Sequence, residues 1–210
     1  MATVAQFIDD ARFDLRDYQT GLEYDDDELV LYINRMAKVL DSTLTALDSS
    51  FVHKQSTVSL GAGVNFVDAK TNLNSGKWDS IREVWISQVR LEKIDVDLLY
   101  YKRKFITGTG QPYYWALAGD NIQFEMTTDA IYSLTINYNQ TTGTLTAASN
   151  MPYSDRFDDV FREMLVMHAK AKKEGAMSPT EQTYQAAFRR VAIELQIRTD
   201  FVPKYYRLGF

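Results

Sequence analysis

The sequence predicts an α+β protein that is mainly helical: an antiparallel helix bundle with a β-rich insertion and an extended C-terminal arm. Apolar residues recur every three or four positions near both ends of the chain, whereas they alternate with polar residues in between. Hydrophobic residues make up 45% and charged residues 24% of the 210 positions, which is typical of a globular protein. We therefore expect one composite domain with an N-terminal helix pair (1–50), an insertion (51–150), a C-terminal helix pair (151–198) and an arm (199–210).

The N-terminal helix pair has clear start signals. Thr3 is suited to cap a helix over 3–17, because its hydroxyl can accept from a free backbone N–H. The acidic run at 25–28 favours the positive end of a second helix, which we place over 26–48. Its apolar stripe consists of Leu29, Tyr32, Ile33, Met36, Leu40, Leu44 and Leu47. Both helices should bury one face.

The insertion is expected to be built from short strands. Alternation predicts strands over 81–89, 113–117, 122–126 and 132–138. Ala-Gly-Asp-Asn at 118–121 predicts a tight hairpin between two of them. Asp95 can cap a short helix that runs through Tyr101.

The C-terminal helix pair is predicted over 156–173 and 179–198. Ser178-Pro179-Thr180-Glu181 matches a capping box with proline at the first helical position. From Thr199 to Phe210 the chain has no sustained period and is interrupted by Pro203. Five large side chains are concentrated there: Phe201, Tyr205, Tyr206, Leu208 and Phe210. Because chain ends are normally polar, we expect this arm to bind a partner.

Composition excludes several kinds of chemistry. The chain has no cysteine, so disulfides, thiolate metal sites and cysteine nucleophiles are excluded, and its two histidines, His53 and His168, lie in no ligand-spaced motif. We therefore expect no catalytic, cofactor-binding or metal-binding residues. His168 falls on the apolar stripe of its helix, which favours a packed, hydrogen-bonded core or interface histidine over a catalytic base.

Charge disfavours tight DNA binding, since the net charge is −5. Two short basic clusters remain, Lys102-Arg103-Lys104 and the group Lys170, Lys172 and Lys173. Solvated faces explain both adequately, and the first is the candidate for facing passing DNA.

Nothing in the sequence indicates a membrane segment or a signal peptide. Apolar runs fall short of the roughly 20 residues that cross a bilayer, and MATVAQFIDD lacks a basic start and an apolar core. We expect cytoplasmic synthesis.

The order of several segments resembles a known family. Tyr24-Asp25 leads into Glu-Leu-Val-Leu-Tyr-Ile-Asn at 28–34, and a proline–aromatic strand, a Gly-Asp turn and a following strand occupy 111–122. The strand at 132–138, the Met151-Pro152 junction and the helix that bears Ala169 and Ala171 follow in the same order. The chain is identified on these segments as a member of the head-to-tail adaptor family of tailed bacteriophages. It departs from that family at 125–129, where Glu-Met-Thr-Thr-Asp replaces a proline-containing turn.

This resemblance implies a structural virion protein without enzymatic activity. It implies a dodecameric ring at the head–tail junction, assembled in the host cytoplasm, with the portal protein, the tail or nozzle proteins and further copies of the chain as partners. DNA would pass through the ring without specific binding. The helical bundle would form the ring body, the insertion would face neighbours or the tail, and the arm would reach the portal or another subunit.

Two other functions stay open at the level of sequence. A carbohydrate- or receptor-binding virion module would use Tyr113, Tyr114 and Trp115, although their strand pattern is better explained by core packing. A small hydrolase would need a carboxylate or serine site that only tertiary folding could bring together.

Overall fold

The computed structural model describes residues 2–15, 24–153, 157–174 and 180–200. The chain divides into two compact units. Unit 1 contains Met1–Phe51 and Thr142–Phe210, and unit 2 contains Val52–Thr141. Unit 2 is therefore inserted between two chain segments that fold together.

Helices occur in both units. In chain order they are α1 (Val4–Leu15), α2 (Asp26–Ala46), α3 (Ala69–Asn72), α4 (Val96–Phe105), α5 (Asp158–Glu174) and α6 (Glu181–Asp200). Unit 1 is built from α1, α2, α5 and α6, of which α1 packs on α2 and α5, and α6 packs on α2 and α5. Their apolar stripes meet in a core where Ile33, Phe161, Leu165 and Phe188 have no exposed surface. The amphipathic spacing seen in the sequence is thus satisfied by burial of one face of each helix.

The start of α1 confirms the predicted cap. The Gln6 N–H donates to Thr3 Oγ1 (3.2 Å), and the Thr3 N–H donates to Gln6 Oε1 (2.9 Å). This reciprocal pair satisfies two backbone donors that the helix leaves free. By contrast, α6 starts at Glu181, two residues later than predicted, where the Thr183 N–H donates to Thr180 Oγ1 (3.4 Å). Ser178 and Pro179 lie outside the described residues.

Unit 2 contains the strands. In chain order they are β1 (His53–Leu60), β2 (Phe66–Asp68), β3 (Trp78–Ile86), β4 (Val89–Arg90), β5 (Glu92–Lys93), β6 (Tyr114–Ala118), β7 (Asn121–Phe124) and β8 (Tyr132–Gln140). They form two four-stranded sheets with the orders β1-β8-β3-β4 and β2-β7-β6-β5. The first sheet is antiparallel, whereas the second is mixed because β5 runs parallel to β6.

The two sheets share one hydrophobic core. Ile136 and Val84 face each other across β8 and β3, and they pack in the same buried cluster as Trp115 and Phe124 of the second sheet. Alternating burial along β7 and β8 places one face of each strand in this core. At the predicted 118–121 hairpin, Gly119 has φ +60°, a conformation that glycine adopts at little cost.

The ends of unit 2 lie side by side. His53 pairs with Asn139 at the first position of β1, and the Gln140 N–H donates to the Val52 carbonyl oxygen (2.8 Å). The chain therefore enters and leaves the unit through neighbouring antiparallel strands.

The structure corrects the predicted fold class. The prediction of a mainly helical bundle is wrong, because the insertion forms two four-stranded sheets. These two sheets share one hydrophobic core within unit 2. Strand pairing joins residues far apart in sequence, as in β1 with β8, so local alternation does not reveal how many strands pair or in what order.

Two element boundaries are also corrected. The strand predicted over 81–89 runs from Trp78 to Ile86, since the chain reverses at Ser87 (φ +54°) and Val89 pairs back with Ile86. The helix predicted to end at Tyr101 continues to Phe105.

Candidate interaction surfaces

In the part of the chain that the structure describes, no group of three or more His, Cys, Asp or Glu residues is arranged so that it could hold a metal ion. The two histidines lie in different units. None of the helices within those residues is long and apolar enough to cross a bilayer.

His53 lies in a polar groove of unit 2. His53 and Arg82 are in contact through Nε2 and Nη1, and Glu83 and Asn137 line the same groove. The Glu83 carboxylate accepts from Trp85 Nε1 (3.1 Å) and from Asn137 Nδ2 (3.2 Å). These hydrogen bonds lower the pKa of Glu83. The Glu83 carboxylate is thus bound by side chains of its own sheet.

His168 is sandwiched between two tyrosines. Its ring stacks on that of Tyr32 in α2, with a centroid distance of 4.4 Å and an interplanar angle of 2°. The centroid of the Tyr184 ring, in α6, lies 5.2 Å from that of His168. The side chain is buried, as predicted, but its two ring nitrogens have no hydrogen-bond partner among the residues described. Burial, and secondarily the charge of Arg35, lower the pKa of His168. His168 therefore joins α2, α5 and α6 by packing.

Lys172 belongs to a cross-helix ion pair next to this stack. Its Nζ contacts Glu28 Oε2, and the Tyr32 hydroxyl donates to Glu28 Oε1 (2.7 Å). The hydrogen bonds from Lys172 and Tyr32 lower the pKa of Glu28, and the same pair raises the pKa of Lys172. This basic residue, predicted to lie on a solvated face, thus pairs with α2.

The cluster Lys102-Arg103-Lys104 lies in the last turn of α4, and two of its members are engaged within unit 2. Arg103 donates from Nε (2.8 Å) and Nη2 (2.6 Å) to the Phe124 carbonyl oxygen. The Lys102 ammonium lies 4.0 Å from the centre of the Tyr114 ring. These contacts fix α4 against the second sheet. The third member, Lys104, is exposed.

The outward face of α4 carries an apolar stripe. Leu98, Tyr101 and Phe105 are 45%, 59% and 68% exposed, and their spacing places them on one side of a helix. The Tyr101 and Phe105 rings are in contact, with centroids 4.8 Å apart. We call these three residues the α4 stripe. Sequence reasoning missed it because the helix was predicted to end at Tyr101, although the 98, 101, 105 spacing was readable.

The aromatic run suggested for carbohydrate binding does not form an exposed platform. Trp115 is only 1% exposed and lies in the core of unit 2, and Tyr114 is covered by Lys102. Tyr113 is 58% exposed. Core packing therefore explains the pattern better, as expected.

Two arginines bind acidic residues of α1 and the start of α2. Buried Arg12 donates to the Tyr24 carbonyl oxygen (2.8 Å) and contacts Asp26, which holds the start of α2 beside α1. Arg162 pairs with Asp10 and Asp14. Asp9, Asp25 and Asp27 are also exposed.

The arm predicted to bind a partner lies outside the described residues. This applies to Phe201, Tyr205, Tyr206, Leu208 and Phe210. Its role is still a prediction from the sequence.

A model of the SU10 adaptor protein family matches residues 2–204. The chain belongs to this family, a family of phage structural adaptors, which makes it a virion component. A search of curated proteins found no match.

Proposed function

We propose that this chain is a subunit of a ring that joins the portal to the tail at the head–tail junction, and through which DNA passes. The observation that carries the proposal is the family match over residues 2–204, which makes the chain a phage adaptor. An adaptor contacts other structural proteins of the phage, and a ring around the DNA path is the arrangement that would serve two stacked neighbours at once.

The charge of the chain is compatible with DNA passage. A net charge of −5 gives no general attraction to the phosphate backbone, so DNA would slide past rather than bind tightly. Of the cluster predicted to face DNA, Lys102 and Arg103 are engaged within unit 2. Lys104, the third member, is exposed.

The arm is the part of the chain that we assign to the portal. Its five large apolar or aromatic side chains, within 201–210, would be costly to leave in water and need a surface to cover them. An extended segment that inserts into a partner buries such side chains without a helical or strand period. The other faces of the ring would meet the tail proteins.

The proposal is tested by co-expressing the chain with the portal protein of its own phage, purifying the portal and imaging it by electron microscopy. We expect a coaxial ring of added density at one end of the portal. A portal that emerges bare, with the chain left in the soluble fraction, would contradict the proposal.

Two variants test the arm within the same experiment. One lacks residues 201–210, and the other keeps the length but has serine at Phe201, Tyr205, Tyr206, Leu208 and Phe210. We expect both to keep the wild-type melting temperature and to lose portal binding. Retained binding in both would remove the arm, but not the ring, from the proposal.

A further inference from the structure

The α4 stripe is an apolar face in addition to the one that α4 already buries. Leu99 has no exposed surface, and Arg103 ties the same side of the helix to the sheet. Leu98, Tyr101 and Phe105 lie on the opposite, outer side. One apolar face is enough to hold a helix on its own sheet, so an exposed second face with two aromatic rings is typical of a surface that a partner covers.

One charge of each sign accompanies the α4 stripe. The helix carries one acidic residue, Asp97, and three basic ones. Lys102 and Arg103 are engaged within unit 2, whereas Asp97 and Lys104 are exposed at opposite ends of the helix. Neither of these two makes a salt bridge to another residue that the structure describes. A partner of the stripe should therefore present both signs of charge, one at each end.

Helix geometry arranges these residues in two rows. Successive residues of an α-helix are about 100° apart around the axis, so Asp97 and Lys104 lie on one flank of Tyr101, and Leu98 and Phe105 lie on the other. The outer side of α4 thus has a charged row, an apolar row and a tyrosine between them.

This arrangement is complementary to itself in one orientation. A second copy of α4, laid antiparallel on the first about a two-fold axis at Tyr101, places each flank beside the same flank of its partner. Asp97 of each copy then faces Lys104 of the other, and Leu98 of each faces Phe105 of the other. A parallel pair would instead place Asp97 beside Asp97.

We propose that two copies of the free chain pair through α4 in this antiparallel, two-fold arrangement. The contact goes beyond the proposed function, because an isologous contact closes at two copies and is therefore separate from the contact that a ring needs. The three side chains of the α4 stripe cover much less than the roughly 800 Å² per partner of a standard interface, so the dimer should be weak and reversible.

Analytical ultracentrifugation of the full chain, without portal, measures the pairing over a range of concentrations. We expect a monomer–dimer equilibrium. Changing Tyr101 and Phe105 together to Ser should weaken it at least about tenfold, because aromatic residues at the centre of an interface contribute most to affinity. Ile131→Ser, at a 72% exposed site elsewhere on unit 2, is the control and should leave the equilibrium unchanged.

Charge reversal tests the orientation. Asp97→Lys and Lys104→Glu should each weaken pairing several-fold, because each brings like charges together at both ends of the pair, whereas Lys54→Glu on the exposed part of β1 should not. An equimolar mixture of the two single variants should pair again. The chain that carries both changes should also pair with itself, since its two charges are exchanged.

Cysteine cross-linking gives an independent readout, because the natural chain has no cysteine. In the antiparallel pair the two copies of position 97 lie about 12 Å apart along the helices, which is beyond the roughly 7 Å limit between the Cα atoms of a disulfide. Chains with Asp97→Cys should therefore form disulfides with Lys104→Cys chains faster than either chain does with itself.

Two results would overturn the pairing and leave the ring, which is assayed with the portal present, intact. One is a wild-type chain that stays monomeric at every concentration. The other is a dimer that neither the aromatic nor the charge changes weaken, or that the exchanged charges fail to restore. If the chain with Ser at 101 and 105 lost portal binding while the wild type was monomeric, the portal would be the occupant instead.

Discussion

Asp41, in α2, binds Thr142, the residue at which the chain returns to unit 1. Its Oδ2 accepts from the Thr142 N–H (2.8 Å), and its Oδ1 accepts from Thr142 Oγ1 (2.7 Å) and from the Tyr153 hydroxyl. Asp41 is buried and Tyr153 is half-buried. Burial together with the Asp41 charge raises the pKa of Tyr153, so its hydroxyl stays protonated and donates a hydrogen bond to the carboxylate. One carboxylate thus fixes the path of the second chain segment of unit 1.

Replacing Asp41 by Ala should lower the free energy of unfolding by about 3 kcal/mol, because hydrogen bonds to a charged group are lost and buried donors are left without an acceptor. Asp41→Asn retains one acceptor and should cost less. Urea denaturation measures both, with Asp9→Asn, on the exposed side of α1, as the control. A cost for Asp41→Ala no larger than for the control would contradict this role.

Phe161→Ala should destabilise unit 1 by about 3–5 kcal/mol, the usual cost of a large cavity in a core. Phe161 is fully buried, and its ring lies 5.2 Å from that of Phe188. The exposed Ile131→Ala serves as the control in the same thermal melts. An unchanged melting temperature for Phe161→Ala would refute the packing of α5 on α6.

Stability should depend on pH through His168. Its folded-state pKa is lowered from the ordinary value of 6.5, so below that value the unfolded chain takes up a proton that the buried ring does not. The contribution to stability is complete above about pH 6.5 and is lost as the pH falls from there toward the lowered pKa. Glu28, whose pKa is lowered from 4.5, adds a separate loss in more acidic solution.

His168→Phe keeps an aromatic ring between Tyr32 and Tyr184 and should flatten the stability profile between about pH 5 and 6.5. His53→Gln, in the other unit, should leave the slope that His168 produces unchanged. The measurement is the urea midpoint across this range. An identical slope in wild type and His168→Phe would exclude His168 as its source.

Arg103→Met should loosen α4, at a cost of about 2 kcal/mol, because the guanidinium donates to the carbonyl oxygens of Phe124 and Asn65. Hydrogen exchange at Val96–Phe105 should become faster, whereas Lys104→Met should leave it unchanged. If Arg103→Met reduced DNA binding without affecting exchange, the residue would face DNA instead.

Local patterns predicted the helices of unit 1 better than the architecture of unit 2. Helix positions follow from spacing within a few residues, so α2 starts where the acidic run at 25–28 predicted it. Sheet order depends on contacts such as Val58 with Leu134, which no local pattern contains. The sequence therefore indicated strands but not two sheets around a common core.

The candidate surfaces show the same division. The spacing of Leu98, Tyr101 and Phe105 was visible in the sequence. The run Lys102-Arg103-Lys104 suggested a solvated face, because hydrogen bonds from Arg103 to distant backbone cannot be predicted from neighbours in sequence. For His168, the apolar stripe predicted burial correctly. It could not predict that two tyrosines from other helices would enclose the ring.

The pairing of the first and last strands of unit 2 has a consequence for synthesis on the ribosome. When α1 and α2 emerge, their core partners α5 and α6 are still untranslated. Leu29 and Ile33, which are buried in the folded protein, therefore remain exposed to solvent at that stage. Once β8 pairs with β1, the long intervening loop is closed and its entropic cost is paid within unit 2. Folding of the inserted sheets would then bring the two halves of the helical unit together, and a defect in β1 or β8 would slow the maturation of the helices of unit 1.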